Sequence, residues 1–105
     1  MRRGSTPTNT FNCNVDLSDA TVFVTYQQNG VNLIEKTGDA LTITATQTGC
    51  NVTVELSQDE TLLFVPGRVM VQIRYVKQDG SADASNIIQT TAELILKDGV
   101  IEYAV

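Results

Sequence analysis

Apolar residues in this chain recur at every second position, and no long stretch carries them at helical spacing. Successive side chains point to opposite faces of a strand, whereas helical faces repeat about every 3.6 residues, so this period commits the chain to sheet. The cleanest case is CNVTVEL, residues 50–56, with Cys50, Val52, Val54 and Leu56 on one side and Asn51, Thr53 and Glu55 on the other. In TVFVTYQQ, residues 21–28, Val22, Val24 and Tyr26 share one face and Phe23 lies on the other. The stretch from 68 to 76 groups Val69, Val71, Ile73 and Tyr75 against Met70, Gln72, Arg74 and Val76. TNTFNC, residues 8–13, and LTITAT, residues 41–46, alternate in the same way, with Phe11 and Cys13 paired in the first and Leu41 and Ile43 in the second. β-branched and aromatic residues dominate these runs, as a pleated half-buried surface favours.

Turn chemistry punctuates them. Asn29 and Gly30 suit both central positions of a type I′ turn, which require positive φ, so 21–28 and 31–37 read as a tight hairpin. Asp79 and Gly80 mark a second hairpin, and Gly38 with Asp39, and residues 47–49, mark further reversals. Ser57 followed three residues later by Glu60 is a capping-box spacing, so one short helical turn is expected before Pro66 and Gly67 stop it. The last run, residues 85–99, keeps Ile88, Ala92, Leu94 and Leu96 together and puts Ile87 and Ile95 on the reverse; residues 100–105 read as one more short strand or a tail.

About seven strands with turn signals every 8–12 residues describe an all-β, two-sheet antiparallel β-sandwich of immunoglobulin-like architecture, with a small barrel as the alternative. The resemblance is architectural only, because the chain has no Trp and Cys13 falls on the first strand. A chain of 105 residues fits one core, read as a single domain over 8–105 preceded by an extended N-terminal arm over 1–7.

Function classes narrow next. Seven basic against twelve acidic residues give a net charge of −5, which argues against nucleic acid as a partner. The arginines at 2 and 3 are followed by GSTPTNT rather than an apolar stretch, so no signal peptide is expected, and no run approaches the length of a membrane span. Histidine is absent, which removes the commonest general base and metal ligand. Asp59 with Glu60 and Asp16 with Asp19 are the close carboxylate pairs, and both fall in connections where acidic residues cap and solvate. Asp79, Ser81, Asp83 and Ser85 could offer oxygen ligands, but their spacing departs from a calcium-binding loop and suits a plain hairpin better. Cys13 and Cys50 lack metal-site or CxxC spacing and read as reduced thiols. Catalytic, cofactor-binding and metal residues are accordingly expected to be none.

What remains is surface. Phe23, Met70, Val76, Ile87 and Ile95 lie opposite their strands' core rows, more apolar material than a solvated sheet face carries. Either they mark an interface, or a β-bulge has reversed the phase of one strand. Arg2, Arg3, Thr6 and Pro7 form the second candidate: Pro7 stiffens an extended segment, and the two guanidinium groups could fork onto a neighbour's carboxylates. A frayed terminus is the competing reading.

The opening MRRGSTPT, the hairpin TYQQNGVNLIEKT, the connector LSQDETLLF, the strand VMVQIRYVKQDG and the ending ASNIIQTTAELILKDG together resemble small immunoglobulin-like tail-module and virion proteins of tailed phages and prophages of Firmicutes. They are also similar to the N-terminal domain of phage baseplate upper proteins. The resemblance implies a non-enzymatic structural subunit of a tail, baseplate or other part of the virion. It would be made in the bacterial host cytoplasm, and it would contact other phage structural proteins as a homo-oligomer or within a larger assembly. The family opening is matched at Arg2, Arg3, Gly4, Thr6, Pro7 and Thr8, and its ending at Ser85, Asn86, Ile88, Leu96, Lys97, Asp98 and Gly99. The alternative is a ligand- or carbohydrate-binding adhesion module, for which six aromatic residues and no Trp are a thin supply.

Overall fold

The computed structural model describes residues 1–104. Two antiparallel sheets form among them. The smaller has the order β1-β5-β4, from β1 (Thr8–Cys13), β4 (Leu41–Ala45) and β5 (Cys50–Glu55). The larger contains β2 (Thr21–Gln28), β3 (Val31–Thr37), β6 (Gly67–Val76), β7 (Ala82–Ala84) and β8 (Ile88–Ala92). Its order is β3-β2-β6-β7, with β8 also on β6. A 3-10 turn, Gly38–Ala40, and one helical turn, α1 (Gln58–Thr61), join strands.

The alternating runs fold as the period dictates. Val22, Val24 and Tyr26 from β2, Val69, Val71 and Ile73 from β6, and Cys50, Val52 and Val54 from β5 are all buried in one cluster. The two sheets therefore share a core in a sandwich-like arrangement, and that burial of apolar surface is the main stabilising term. Asn29 (φ 53) and Gly30 (φ 77) both take positive φ between β2 and β3, as a tight hairpin demands. Ser57 caps α1, its hydroxyl accepting from Glu60 N–H at 3.2 Å while the Glu60 carboxylate accepts from Ser57 N–H at 2.9 Å.

Two features differ from the alternation reading. Between the pairs Arg74 with Ala84 and Val71 with Ile88, residues 85–87 stand opposite only 72 and 73, so β7 and β8 are halves of one edge strand interrupted by a β-bulge. Ser85 stitches the gap: its N–H donates to Ile73 C=O at 2.8 Å, and its hydroxyl accepts from Ile73 N–H at 3.0 Å. The second difference is a correction. The last strand ends at Ala92 rather than running through Leu96, because its partner β6 begins at Gly67, directly after Pro66, and offers no ladder beyond the Gly67–Ala92 pair. Of the row expected in the core only Ala92 is buried; Ile88, Leu94 and Leu96 are exposed, and residues 100–104 form no strand.

The connector after β5 does more than link sheets. Phe64 is fully buried against Tyr26, ring centroids 6.2 Å apart, and the Tyr26 hydroxyl accepts from Asn9 Nδ2 at 2.7 Å. Buried Gln28, at the end of β2, donates to Val65 C=O at 2.7 Å and accepts from Val65 N–H at 2.8 Å. Each polar group brought inside is thereby satisfied, which a buried amide requires.

Candidate interaction surface

The outer face of the larger sheet carries the apolar residues singled out by their phase. Cross-strand pairing sets Phe23 beside Arg74, Gln27 beside Met70 and Thr21 beside Val76. Phe23, Met70, Val76 and Ile87 line one open groove of about 500 Å³. Phe23 and Met70 are half-buried in its floor, while Val76 and Ile87 reach solvent. The bulge explains the position of Ile87: Ile88 lies opposite Val71 on the core side, which turns Ile87 outward. Arg74 and Glu35 also line the groove, and among the described residues neither forms an ion pair. The rim is held by Gln27 Nε2 donating to Asn32 Oδ1 at 2.9 Å and Gln72 Nε2 donating to Ser85 C=O at 2.9 Å. Thr25, Gln27 and Gln72 lie among the apolar side chains, so the groove is mixed in character, with Arg74 its one cation and Glu35 its one anion.

No protein-family model, curated protein or solved structure matches this chain.

Ile95 does not join the other four. It is half-buried against the N-terminal segment, where its Cδ1 lies 3.3 Å from the position a Cβ on Gly4 would take. The reason is the early end of β8, which removes Ile95 from the sheet.

Residues 1–7 lie against their own domain rather than projecting from it. Glu93 N–H donates to Met1 C=O at 2.9 Å and Arg3 N–H donates to Glu93 C=O at 3.2 Å, a parallel bridge along the edge of β8. The Arg3 guanidinium donates to Phe64 C=O through Nε, to Leu62 C=O at 3.2 Å and to Asp98 at 3.1 Å, with its side chain only 14% exposed. Arg2 donates to Leu94 C=O at 3.0 Å and pairs with Glu93 at 3.4 Å. Leu56 N–H donates to Pro7 C=O at 3.1 Å, and buried Thr61 donates its hydroxyl proton to Ser5 C=O at 2.8 Å; Thr6 is exposed. The guanidinium groups expected to reach a neighbour thus bind this chain's own carbonyls and carboxylates.

The acidic groups are tied locally. Hydrogen bonds from Ser18 hold the Asp16 carboxyl below its usual range, and hydrogen bonds from Ser81 do the same for Asp79. Burial pushes Glu60 upward, but the Lys36 ammonium at 2.7 Å and the Ser57 N–H outweigh it and leave the carboxyl lowered. Tyr26 is raised by burial, eased by the Asn9 hydrogen bond and reinforced by the charge of Glu60. Among the described residues, no three acidic or thiol groups come together as a metal would need, and no helix is long and apolar enough to cross a membrane.

A second concavity, about 610 Å³, opens between the sheets where β1 faces β7 and β8. Phe11, Cys13, Tyr75 and Ile88 line it. Nothing in the period of the sequence indicated this gap, because it arises from how two edges are spaced rather than from any one strand.

Proposed function

We propose that this chain is a non-enzymatic structural subunit of a phage tail, baseplate or neighbouring part of the virion, acting through protein–protein contacts on the outer face of its larger sheet. One observation carries the reading: four apolar side chains turned away from the core line a single groove. Apolar side chains gathered on the outside of a sheet favour an interface there. The groove's single cation and the net charge of −5 favour a protein partner over nucleic acid.

The strand order supports an immunoglobulin-like assignment. In that fold, B, E and D adjoin in one sheet and C′, C, F and G in the other, the order found here for β1-β5-β4 against β3-β2-β6-β7. The sequence resemblance to phage tail-module proteins supplies the virion setting. Because Arg2 and Arg3 are engaged within the chain, we assign docking to the sheet face rather than to the N-terminal segment.

A photo-crosslinking residue in place of Ile87, compared with one at Thr42 on the outside of the smaller sheet, tests the assignment in assembled particles. We expect Ile87 to capture a second copy or another virion subunit, Thr42 to capture little, and Met70→Glu to abolish the crosslink while leaving the dichroism spectrum unchanged. Equal capture at both positions, or crosslinking unaffected by Met70→Glu, would contradict it.

A further inference from the structure

Cys13 and Cys50 are the chain's two cysteines, and the register of β1 on β5 sets them directly opposite each other as the last pair of the ladder. Both are free thiols; Cys50 is buried in the central strand, and Cys13 is half-buried on the edge strand at the mouth of the cavity between the sheets. Directly opposed residues of an antiparallel pair have Cα atoms roughly 4.5–5.5 Å apart, inside the roughly 4.4–6.8 Å that a disulfide spans.

The neighbouring backbone holds that pairing. A Cβ on Gly49 would collide with Cys13 C=O and lie 2.8 Å from both the Asn14 carbonyl carbon and the Val15 nitrogen, so only glycine lets the end of β1 pass this close to the start of β5. On its other side Cys50 pairs with Ala45 of β4, and Thr46 N–H donates to Gly49 C=O at 3.0 Å. Burial, together with the charge and hydrogen bond of the adjacent Cys50 thiol, raises the pKa of Cys13.

We propose that Cys13 and Cys50 are a reversible dithiol–disulfide site, oxidised by a small-molecule disulfide of the glutathione class, whose closure ties the edge strand β1 to β5. Cys13, the more exposed thiol, loses its proton to solvent and attacks one sulfur of the external disulfide. The S–S electron pair leaves on the other half, which takes up a proton as a free thiol. Cys50, deprotonated in turn, attacks the Cys13 sulfur of the mixed disulfide and expels the second half as thiol. Two protein thiols are oxidised, one external disulfide is reduced to two thiols, and protons balance.

The register also sets the spacing the bond must cross. Leu56 N–H donates to Pro7 C=O, and counting the antiparallel alternation from that bond makes Cys13 and Cys50 a hydrogen-bonded pair, the wider of the two spacings. That spacing, roughly 5.5 Å between Cα atoms, is close to the commonest one for a disulfide, so the bond closes without moving the two strands apart. Cys13 is half-buried on the edge strand, within reach of an external thiol, and exposed disulfides are the readily reduced ones, so the site is a reversible tie rather than a permanent staple.

Incubating the folded protein with excess glutathione disulfide in the absence of denaturant, then alkylating and mapping peptides by mass spectrometry, tests this directly. We expect no alkylatable thiol, one crosslinked peptide joining Cys13 to Cys50, and a melting temperature raised by on the order of 10 °C that returns with dithiothreitol. Cys50→Ser should stop at a glutathione adduct on Cys13, and Cys13→Ser should leave Cys50 largely unmodified. A stalled adduct in the wild type, a disulfide between chains, or an internal bond that lowers the melting temperature would overturn the site. Modification of Cys50 in Cys13→Ser as fast as Cys13 in Cys50→Ser would overturn the order of steps.

Discussion

Residues 1–7 lie against the start of the segment 94–104, at Leu94, Ile95 and Asp98, yet the first segment is clasped and the second is not. The first contains small polar residues, a proline and two arginines, a composition typical of a loose end. Its backbone bridges Glu93 on both sides, and Arg3 reaches three acceptors from a nearly buried position. The second has the apolar alternation of a strand, but Leu96 is 100% exposed and Tyr103 92% exposed. Its ties are few: Leu94 C=O accepting from Arg2 at 3.0 Å, Gln58 with the backbone of Ile101 at 3.0 and 2.9 Å, and Asp98 with Arg3. The difference teaches that a partner for the backbone, more than the period of the side chains, decides whether a segment belongs to the sheet. Glu93 finds its partner in residues 1–3, whereas residues 94–104 extend past the start of β6.

The strongest way to break this contrast is truncation. Removing residues 1–7 should cost about 3 kcal/mol or more, lowering the melting temperature by on the order of 15 °C, because carbonyls of Leu62 and Phe64 lose a charged donor. Trimming the chain after Ile101 should cost less than about 0.5 kcal/mol, because residues 102–104 are exposed. Thermal melts of the two truncations, measured side by side, check both.

Within the clasped segment the two arginines should separate. Arg3→Ala should cost roughly 2–3 kcal/mol, since it leaves partly buried carbonyls unpaired. Arg2→Ala, at a side chain 63% exposed, should cost less than about 1 kcal/mol. Urea titrations of the single variants distinguish them.

The platform beneath the segment should respond to acid. The Glu60 carboxyl is lowered in the folded chain, so the stability it contributes is present above its unfolded pKa of about 4.3 and is lost as pH falls through the lower folded value. Melting temperature against pH should therefore decline more steeply below that point in the wild type than in Glu60→Gln, which keeps the helix cap but not the ion pair with Lys36. The smallest effect belongs to the loose segment: Leu96→Ser should shift stability by less than about 0.5 kcal/mol.

Much of the fold was legible because each strand's chemistry is local. Asn29 and Gly30, the capping box of Ser57 and Glu60, and the buried rows of β2, β5 and β6 follow from neighbours a few residues apart. The groove residues Phe23, Met70 and Val76 were legible for the same reason, being the off-phase residues of the β2 and β6 rows, as was Ile87, off phase with the row of Ile88 and Ala92. Ile95 was not, because the end of β8 is decided by Pro66 on another part of the chain. The clasp joins residues 2 and 93, and no local pattern encodes a pairing across that separation. Buried Gln28 and Thr61 were equally hidden: a polar residue comes inside only where carbonyls from another segment meet it, as Val65 and Ser5 do here.

Amide hydrogen exchange followed by NMR tests most directly whether backbone partnership governs the two ends. The account predicts slow exchange at Arg3 and Glu93, approaching that of Val24 and Val71 in the central strands, and rapid exchange at residues 102–104. Arg3 and Glu93 exchanging as fast as those last residues would contradict it.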